Sequence, residues 1–476
     1  MKLLSGTSFF FVSTLVFFAT SLLHSFLPLI SDFNAYRWFQ VVIVTCGFLF
    51  LATIRKKQFT LIFFVVALIV TSLGPAPYSF VFLVFDLGYW VSVILVALYI
   101  SMEKVEPVEL AKWVSVGASI GCLLYLPTIV MGVGFWYAQE AGRITDFLPF
   151  GFYGIRPWSQ IATWLLPLTV VTIFLASIMP LFRHRFWKWV LITSAGFWFF
   201  VLISSGARGS LISQFLSLAF LLVFFGKSVW PIFKLWVTLF SIGFVFYLVL
   251  VFVIPSFFFD EVKASLSLRT HSSGRVELWA FALELSVRNF PLGAGPLSYI
   301  AETPVSANAT PHSLYFRWAA EYGWLVVLVF IAGLVWLASP LFRQMRSVNI
   351  EKVESFQLAI IWSALAAFVH ASVSGVFTSP YSLTVGFPVL IVFFVFMIKV
   401  KASLKLTELH IRGGSAAAAV LFSISIAMMP SMHSWYVEAK RDQELFFETY
   451  KSSLSPRFWL HGRYIENRME ELEFKH

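Results

Sequence analysis

An all-α, polytopic integral membrane protein is the fold class that the sequence predicts, on three observations. Of 476 residues, 59% are hydrophobic and only 12% charged, against about a quarter charged in an ordinary soluble domain. Aromatic residues make up 18%, with 55 Phe and 18 Trp, far more apolar side chain than one globular core can enclose. These residues recur in blocks of about 20, the length of helix that crosses a bilayer's hydrocarbon core. A soluble enzyme is excluded. Cys46 and Cys122 both lie in apolar blocks and share no ligand spacing, so neither a disulfide framework nor a thiolate metal site is expected. The net charge of +10 serves first to set orientation and is read loop by loop.

The first block, 8–24, follows Lys2 with no small-residue cleavage site after it, so it reads as a retained helix rather than a signal peptide. Further blocks lie at 38–54, 59–73, 78–101, 112–135, 158–181, 187–204, 209–226, 229–254, 312–338, 356–373 and 382–399, with a weaker one at 415–431. Alternate links carry the cations: Arg55-Lys56-Lys57, Lys104 and Lys112, Arg183 with Arg185 and Lys188, Lys227, Arg343 with Arg346 and Lys352, then Lys399, Lys401, Lys405 and Arg412. The positive-inside rule places these, and the N-terminus, in the cytoplasm. Residues 25–37, 136–157, 204–209, 255–311 and 374–381 then face the other side. If 415–431 spans there are thirteen helices and an outside tail; if not, twelve with both ends inside. The expected organisation is one transmembrane domain over 1–431, with a structured long loop at 255–311, then a short charged, helical tail over 432–476.

Ionisable residues on the non-cytoplasmic side come next. Arg208, in Ser204-Ser205-Gly206-Ala207-Arg208-Gly209-Ser210, links two spans where the cation bias asks for no arginine. It calls for an anionic partner or snorkels to headgroups. Arg275 opens a segment in which Val276, Trp279, Leu283 and Val287 have helical spacing, an amphipathic helix near the membrane surface. Arg275 and Trp279, one turn apart, could equally form a cation–π pair. Gly293 and Gly295 permit close backbone approach but complete no phosphate-loop or dinucleotide pattern. His312 follows Pro311 at the mouth of the next span, where a near-neutral imidazole suits a general base; a structural interfacial histidine is the plainer reading. Two arginines, a histidine and a long loop together suit a diphosphate leaving group and a hydroxyl nucleophile, because guanidinium forks bind phosphate oxygens bidentately.

Asp86, inside the block 78–101, is either functional or the partner of a neighbouring helix. Glu321, four residues after Arg317, is predicted to form an intrahelical ion pair with it. His370 ends its span on the side of His312 and either lines the same cavity or is an ordinary interfacial residue. No Asp-x-Asp or Asp/Glu/His cluster occurs in the non-cytoplasmic loops, so no bound metal or cofactor is expected.

The order Ser205-Gly206-Ala207-Arg208-Gly209-Ser210, then Gly274-Arg275 with Trp279, Pro291-Leu292-Gly293-Ala294-Gly295-Pro296, Pro311-His312-Ser313-Leu314-Tyr315 and Glu321 before Gly323 resembles the O-antigen ligase superfamily. That superfamily includes ligases joining O-antigen to lipid A-core, polysaccharide polymerases and protein O-oligosaccharyltransferases. The resemblance covers about residues 150–380. It implies a GT-C-like helical bundle and a metal-independent, inverting glycosyltransferase in a bacterial inner membrane, its site facing the periplasm. The donor would be a glycan on undecaprenyl diphosphate; the acceptor, lipid A-core or similar, or else a growing glycan or a protein. Membrane lipids are partners, and nucleic acid is not. Arg208 and Arg275 would hold the diphosphate, and His312 would activate the acceptor hydroxyl.

The chain departs from the family pattern in places. Where members carry Pro-Asn it has Arg156-Pro157-Trp158-Ser159-Gln160, so Ser159 or Gln160 would supply that polar contact. Ser313 follows the histidine where Asn is usual, and His370 is followed by no Glu, unlike the protein-glycosylating branch. A thirteenth span with an outside tail, by contrast, is closer to that branch. The competing class is a transporter or flippase of a lipid-linked or anionic solute, which predicts mid-span charges or broken helices in repeated halves; only Asp86 and Glu321 answer to that.

Overall fold

A computed structural model describes residues 78–102, 105–139, 144–148, 155–258, 275–302, 310–347, 354–402 and 428–450, with isolated positions between 37 and 45 and at 426. All regular structure among these residues is helical, as composition and block length require. The blocks 8–24 and 59–73 lie outside the described residues, as do most of 38–54 and 415–431, the loop segments 259–274 and 303–309, and the tail beyond 450.

The helices used below are α1 (Tyr78–Met102), α2 (Pro107–Leu124), α3 (Leu126–Gln139), α4 (Ile155–Leu175), α5 (Arg185–Ser204), α6 (Arg208–Phe225), α7 (Trp230–Leu248), α8 (Arg275–Arg288), α9 (Ser298–Glu302), α10 (Leu314–Tyr322), α11 (Trp324–Ser347), α12 (Ser355–His370), α13 (Pro380–Ala402) and α14 (Met429–Tyr450). Among the described residues, 7 helical stretches are long and apolar enough to cross a membrane. They are Pro107–Gln139, Pro157–Ile178, Arg185–Ser204, Arg208–Ser228, Trp230–Phe257, Trp324–Arg346 and Pro380–Val400. The shorter α12 is equally apolar. A multi-pass membrane protein follows.

One expected span divides. The block 312–338 is two helices, α10 and α11, parted at Gly323, whose φ of +87° is in the left-handed region. A side chain there would collide with the Pro291 carbonyl oxygen, so only glycine fits. Apolar content continues across the break, and hydropathy therefore passes over it. Residues Met429–Tyr450 form α14.

The chain forms two compact units, Met1–Asp32, Lys104–Ser272 and Pro340–Phe396 in one, and Phe33–Glu103, Ser273–Ser339 and Met397–His476 in the other. In the first, α4 is central, packing on α2, α5, α6, α7 and α12. Its hydroxyls turn inward on themselves: Thr163, Thr169 and Thr172 donate to carbonyls one turn back, as polar groups must where no water reaches. α5 and α7 approach through Gly196 and Gly243, where a Cβ on Gly243 would strike Phe199 and the Gly196 carbonyl. Small residues bring membrane helices together in this way.

In the second unit, α8 packs on α10 around Ala282, Leu285, Tyr299 and Ala320. Arg317 of α10 forms its ion pair with Asp86 of α1, Nη2 lying 3.0 and 2.9 Å from the two carboxylate oxygens, in place of the predicted pairing with Glu321. The Tyr322 hydroxyl donates to the same carboxylate at 3.0 Å. Both charged side chains are buried, at 2% and 8% exposure.

Breaking a buried pair leaves one charge uncompensated, at about 3–5 kcal/mol, whereas replacing both partners by apolar residues is often near neutral. Asp86→Leu should therefore sharply lower the unfolding midpoint of the purified protein in detergent. Adding Arg317→Met should restore most of it; equal losses in single and double variants would show that the pair does not hold α1 to α10.

Candidate functional site

The sequence candidates fall into two sets, one in each unit. In the second unit His312 lies in the short extended stretch before α10. Ser313, not Pro311, begins the helix: its side chain caps α10 by accepting from the Phe316 N–H at 3.4 Å. His312 is the residue before that cap and holds φ at +54°, a left-handed conformation uncommon outside glycine and concentrated at functional sites. It is half-buried, and its backbone N–H donates to Thr310 Oγ1 at 3.1 Å.

What holds this turn is Trp279. Its indole Nε1 donates to the Pro311 carbonyl at 2.9 Å, and its ring lies 5.9 Å from that of Phe316. Trp279 thus ties α8 to the peptide adjoining His312. Arg275, the first residue of α8, is one helical turn before Trp279, so both project from the same side of the helix. Arg275 and His312 are in this way built onto the same packed pair of helices.

Glu321 is buried in the last turn of α10. Its backbone carbonyl accepts from Gly295 N–H at 2.9 Å, and that of Ala320 from Ala294 N–H at 2.8 Å. The Gly293–Gly295 loop thereby satisfies carbonyls that every helix end leaves open. Gly293, at φ +74°, sits where a Cβ would meet Gly323 and Glu321 backbone. The close approach read from these glycines is made to the protein's own chain. Burial pushes the Tyr315 phenol up to about 12, so it is protonated at neutral pH.

In the first unit Arg208 begins α6 after a tight turn. Gly206 takes φ +60°, and Ser205 Oγ accepts from Ala207 N–H at 3.2 Å. The Arg208 side chain is exposed, while Ser210, two residues on, is fully buried. Beneath this helix start lies His370, at the C-terminus of α12 and 3% exposed. Its Nδ1 is 2.8 Å from Thr163 Oγ1, which is 2.8 Å from Ser210 Oγ. The chain of contacts continues through Gln214 Nε2, which donates to Ser210 Oγ, to the indole of Trp236. A Cβ on Gly209 would lie 2.8 Å from His370 Nε2, so glycine beside Arg208 makes room for the imidazole.

His370 is therefore no surface residue but part of the polar set that seats the Arg208 helix. Gln160, one turn before Thr163, donates to Ser374 Oγ at 3.0 Å, and its carbonyl oxygen is buried with no hydrogen-bond partner. Arg156 lies in the first turn of the same helix, α4. Thr163, Ser210 and Gln214 were not singled out from the sequence. The signal for them is polar residues one turn apart on otherwise apolar helices. Among the described residues no group of three or more His, Cys, Asp or Glu could hold a metal ion.

Residues 189–331 match the family model described as O-antigen ligase. The match runs from within α5 into α11 and takes in Arg208, Arg275, His312 and Glu321, in agreement with the resemblance carried by the motifs. No curated protein matches the chain. An O-antigen ligase or polymerase type of membrane enzyme is what this match supports.

Trp279→Phe keeps an aromatic side chain but removes the indole N–H that bonds Pro311, together with part of the indole's packing surface. A bond of about 1 kcal/mol corresponds to about fivefold faster local opening, so amide exchange over 310–314 should rise by that factor while the α8–α10 core stays protected. Unchanged exchange there would show that Trp279 does not hold the turn.

Proposed function

We propose that the protein is a glycosyltransferase of the O-antigen ligase type, transferring a glycan from undecaprenyl diphosphate to an acceptor hydroxyl at the periplasmic face of a bacterial inner membrane. His312 takes the acceptor proton as the oxygen attacks the anomeric carbon. The carbon–oxygen bond to the diphosphate breaks, its electron pair stays with the diphosphate oxygen, and the anomeric configuration inverts. Arg208 and Arg275 bind phosphate oxygens and stabilise the charge that develops on the leaving group, the largest electrostatic need of such a displacement. No metal is called for in this scheme. The leading acceptor is lipid A-core or a similar glycolipid; a growing glycan or a protein hydroxyl is the alternative.

The observation that carries this reading is the strained His312, tied through Pro311 and Trp279 to the helix that Arg275 begins, inside the segment matched to the family. A general base must be held at a fixed place on a rigid frame. The transporter alternative is weakened by the same structure. Asp86, the mid-span charge that spoke for it, is paired with Arg317 and hydrogen-bonded by Tyr322.

His312→Ala, Arg208→Ala and Arg275→Ala should each abolish transfer while reaching wild-type levels in the membrane. Mass spectrometry of cells carrying each variant should show undecaprenyl-linked glycan accumulating and one glycoconjugate, on lipid A-core, polymer or protein, disappearing. The missing product identifies the acceptor. Unchanged pools in all three variants would overturn the assignment.

A further inference from the structure

Helix α8 has a second apolar face that none of the described residues covers. Its inward face is complete: Leu278, Ala282 and Leu285 are fully buried against α10 and its neighbours. Roughly opposite, at about 100° per residue, run Val276, Ala280, Leu283 and Val287, continued by Phe290 just beyond the helix end. The large ones are 56%, 43%, 63% and 68% exposed for Val276, Leu283, Val287 and Phe290. The charged residues Glu277, Glu284 and Arg288 occupy a third sector, about a quarter turn from this stripe.

What should cover the stripe follows from where α8 is fastened. Ser286 accepts a hydrogen bond from the Trp324 indole at 3.1 Å, and Trp324 is the first residue of α11. That helix is long and apolar enough to cross a membrane, yet only 11% of its most apolar window is buried, with Leu325, Leu328 and Val329 all more than half exposed. Over residues 325–336 it presents the uncovered apolar surface expected of a lipid-facing helix. A tryptophan at the start of a lipid-facing span marks the headgroup level of the bilayer. The helix hydrogen-bonded to it lies at that level too, and its stripe continues the lipid-facing surface of α11.

We infer that α8 docks on the bilayer, its stripe of Val276, Ala280, Leu283, Val287 and Phe290 seated between the headgroups and acyl chains of the leaflet in which α11 begins. The docking is apolar in character. Arg275, Glu277, Glu284 and Arg288 sum to zero charge, so the helix offers no cationic face to anionic lipid, and the contact should be insensitive to salt. One consequence rests on the proposed role of Arg275: the seated stripe fixes that guanidinium at the depth of lipid phosphates, where a lipid-linked diphosphate would present its oxygens. The lipid contact itself does not depend on that role.

The test uses the full chain in phosphatidylcholine nanodiscs, with a nitroxide attached singly at Leu283→Cys, Val287→Cys or Glu284→Cys in a Cys46→Ser, Cys122→Ala background. Relaxation by oxygen, which partitions into lipid, is compared with relaxation by a water-soluble nickel chelate at low and high salt. The labels at 283 and 287 should respond to oxygen and be protected from nickel at both salt levels, and the label at 284 should behave oppositely. Nickel access at 283 and 287 equal to that at 284 would put the stripe in water. Exclusion of both reagents would mean that a protein surface covers it. Either result overturns the inference, and since no donor or acceptor is used, neither bears on the transfer reaction.

Discussion

Polar groups between these helices have little water to turn to, so most of them find partners within the protein. That constraint organises both units. Thr163, Ser210, His370 and Gln214 come from α4, α6 and α12, and their mutual hydrogen bonds fix the three helices at the end where Arg208 begins α6. Asp86, Arg317 and Tyr322 do the same for α1 and α10. An apolar contact tolerates sliding, because neighbouring methyl groups are nearly interchangeable. A buried carboxylate gripped at 2.9 Å by a guanidinium permits one register alone, since any shift leaves a charge unpaired.

On these fixed helices the chain can hold conformations that would not persist in isolation. The left-handed backbone at His312 costs on the order of 1–3 kcal/mol. It is held by what surrounds it: the Ser313 cap on one side, the Thr310 hydroxyl on the other, and Trp279 on the Pro311 carbonyl. Nearby, Gly293 and Gly323 let the 289–297 loop close on the end of α10 with backbone touching backbone. The helix bearing the turn is therefore clamped at both ends, by a cap and an indole at its start and by loop amides and the Asp86 pair towards its finish.

Among the described residues, the apolar spans and the order of the motifs were legible in the sequence because both are local: a block of apolar residues, or Gly-Ala-Arg between two such blocks. What escaped was decided at a distance. Arg317 lies four residues from Glu321 but pairs with a carboxylate 231 residues away, and helical spacing reports only the nearer possibility. His370 and Thr163 are separated by 207 positions, so nothing in the sequence distinguishes an interfacial histidine from one beneath α6. The break at Gly323 left hydropathy unchanged. In α8 the periodicity was real but mixed two faces: Val276, Leu283 and Val287 point outward, whereas Trp279, read with them, points to Pro311. A helix apolar on two sides yields one blurred stripe in sequence, and only packing separates them.

Those two faces give α8 a place between the membrane and the candidate base. It is 14 residues long, about 21 Å at 1.5 Å per residue, and is held along one side by α10. A short helix packed in this way moves as a body, because bending it would break backbone hydrogen bonds along its length. With the outward stripe seated in lipid, the depth of α8 in the leaflet sets the position of Trp279, and through the Pro311 carbonyl the position of His312. For the donor proposed above, whose phosphates sit at the end of a membrane anchor, the problem is one of height more than of lateral search, since the anchor already confines it to two dimensions. A helix that touches lipid on one face and the His312 turn on another would, under the proposed function, answer that problem with a single rigid element.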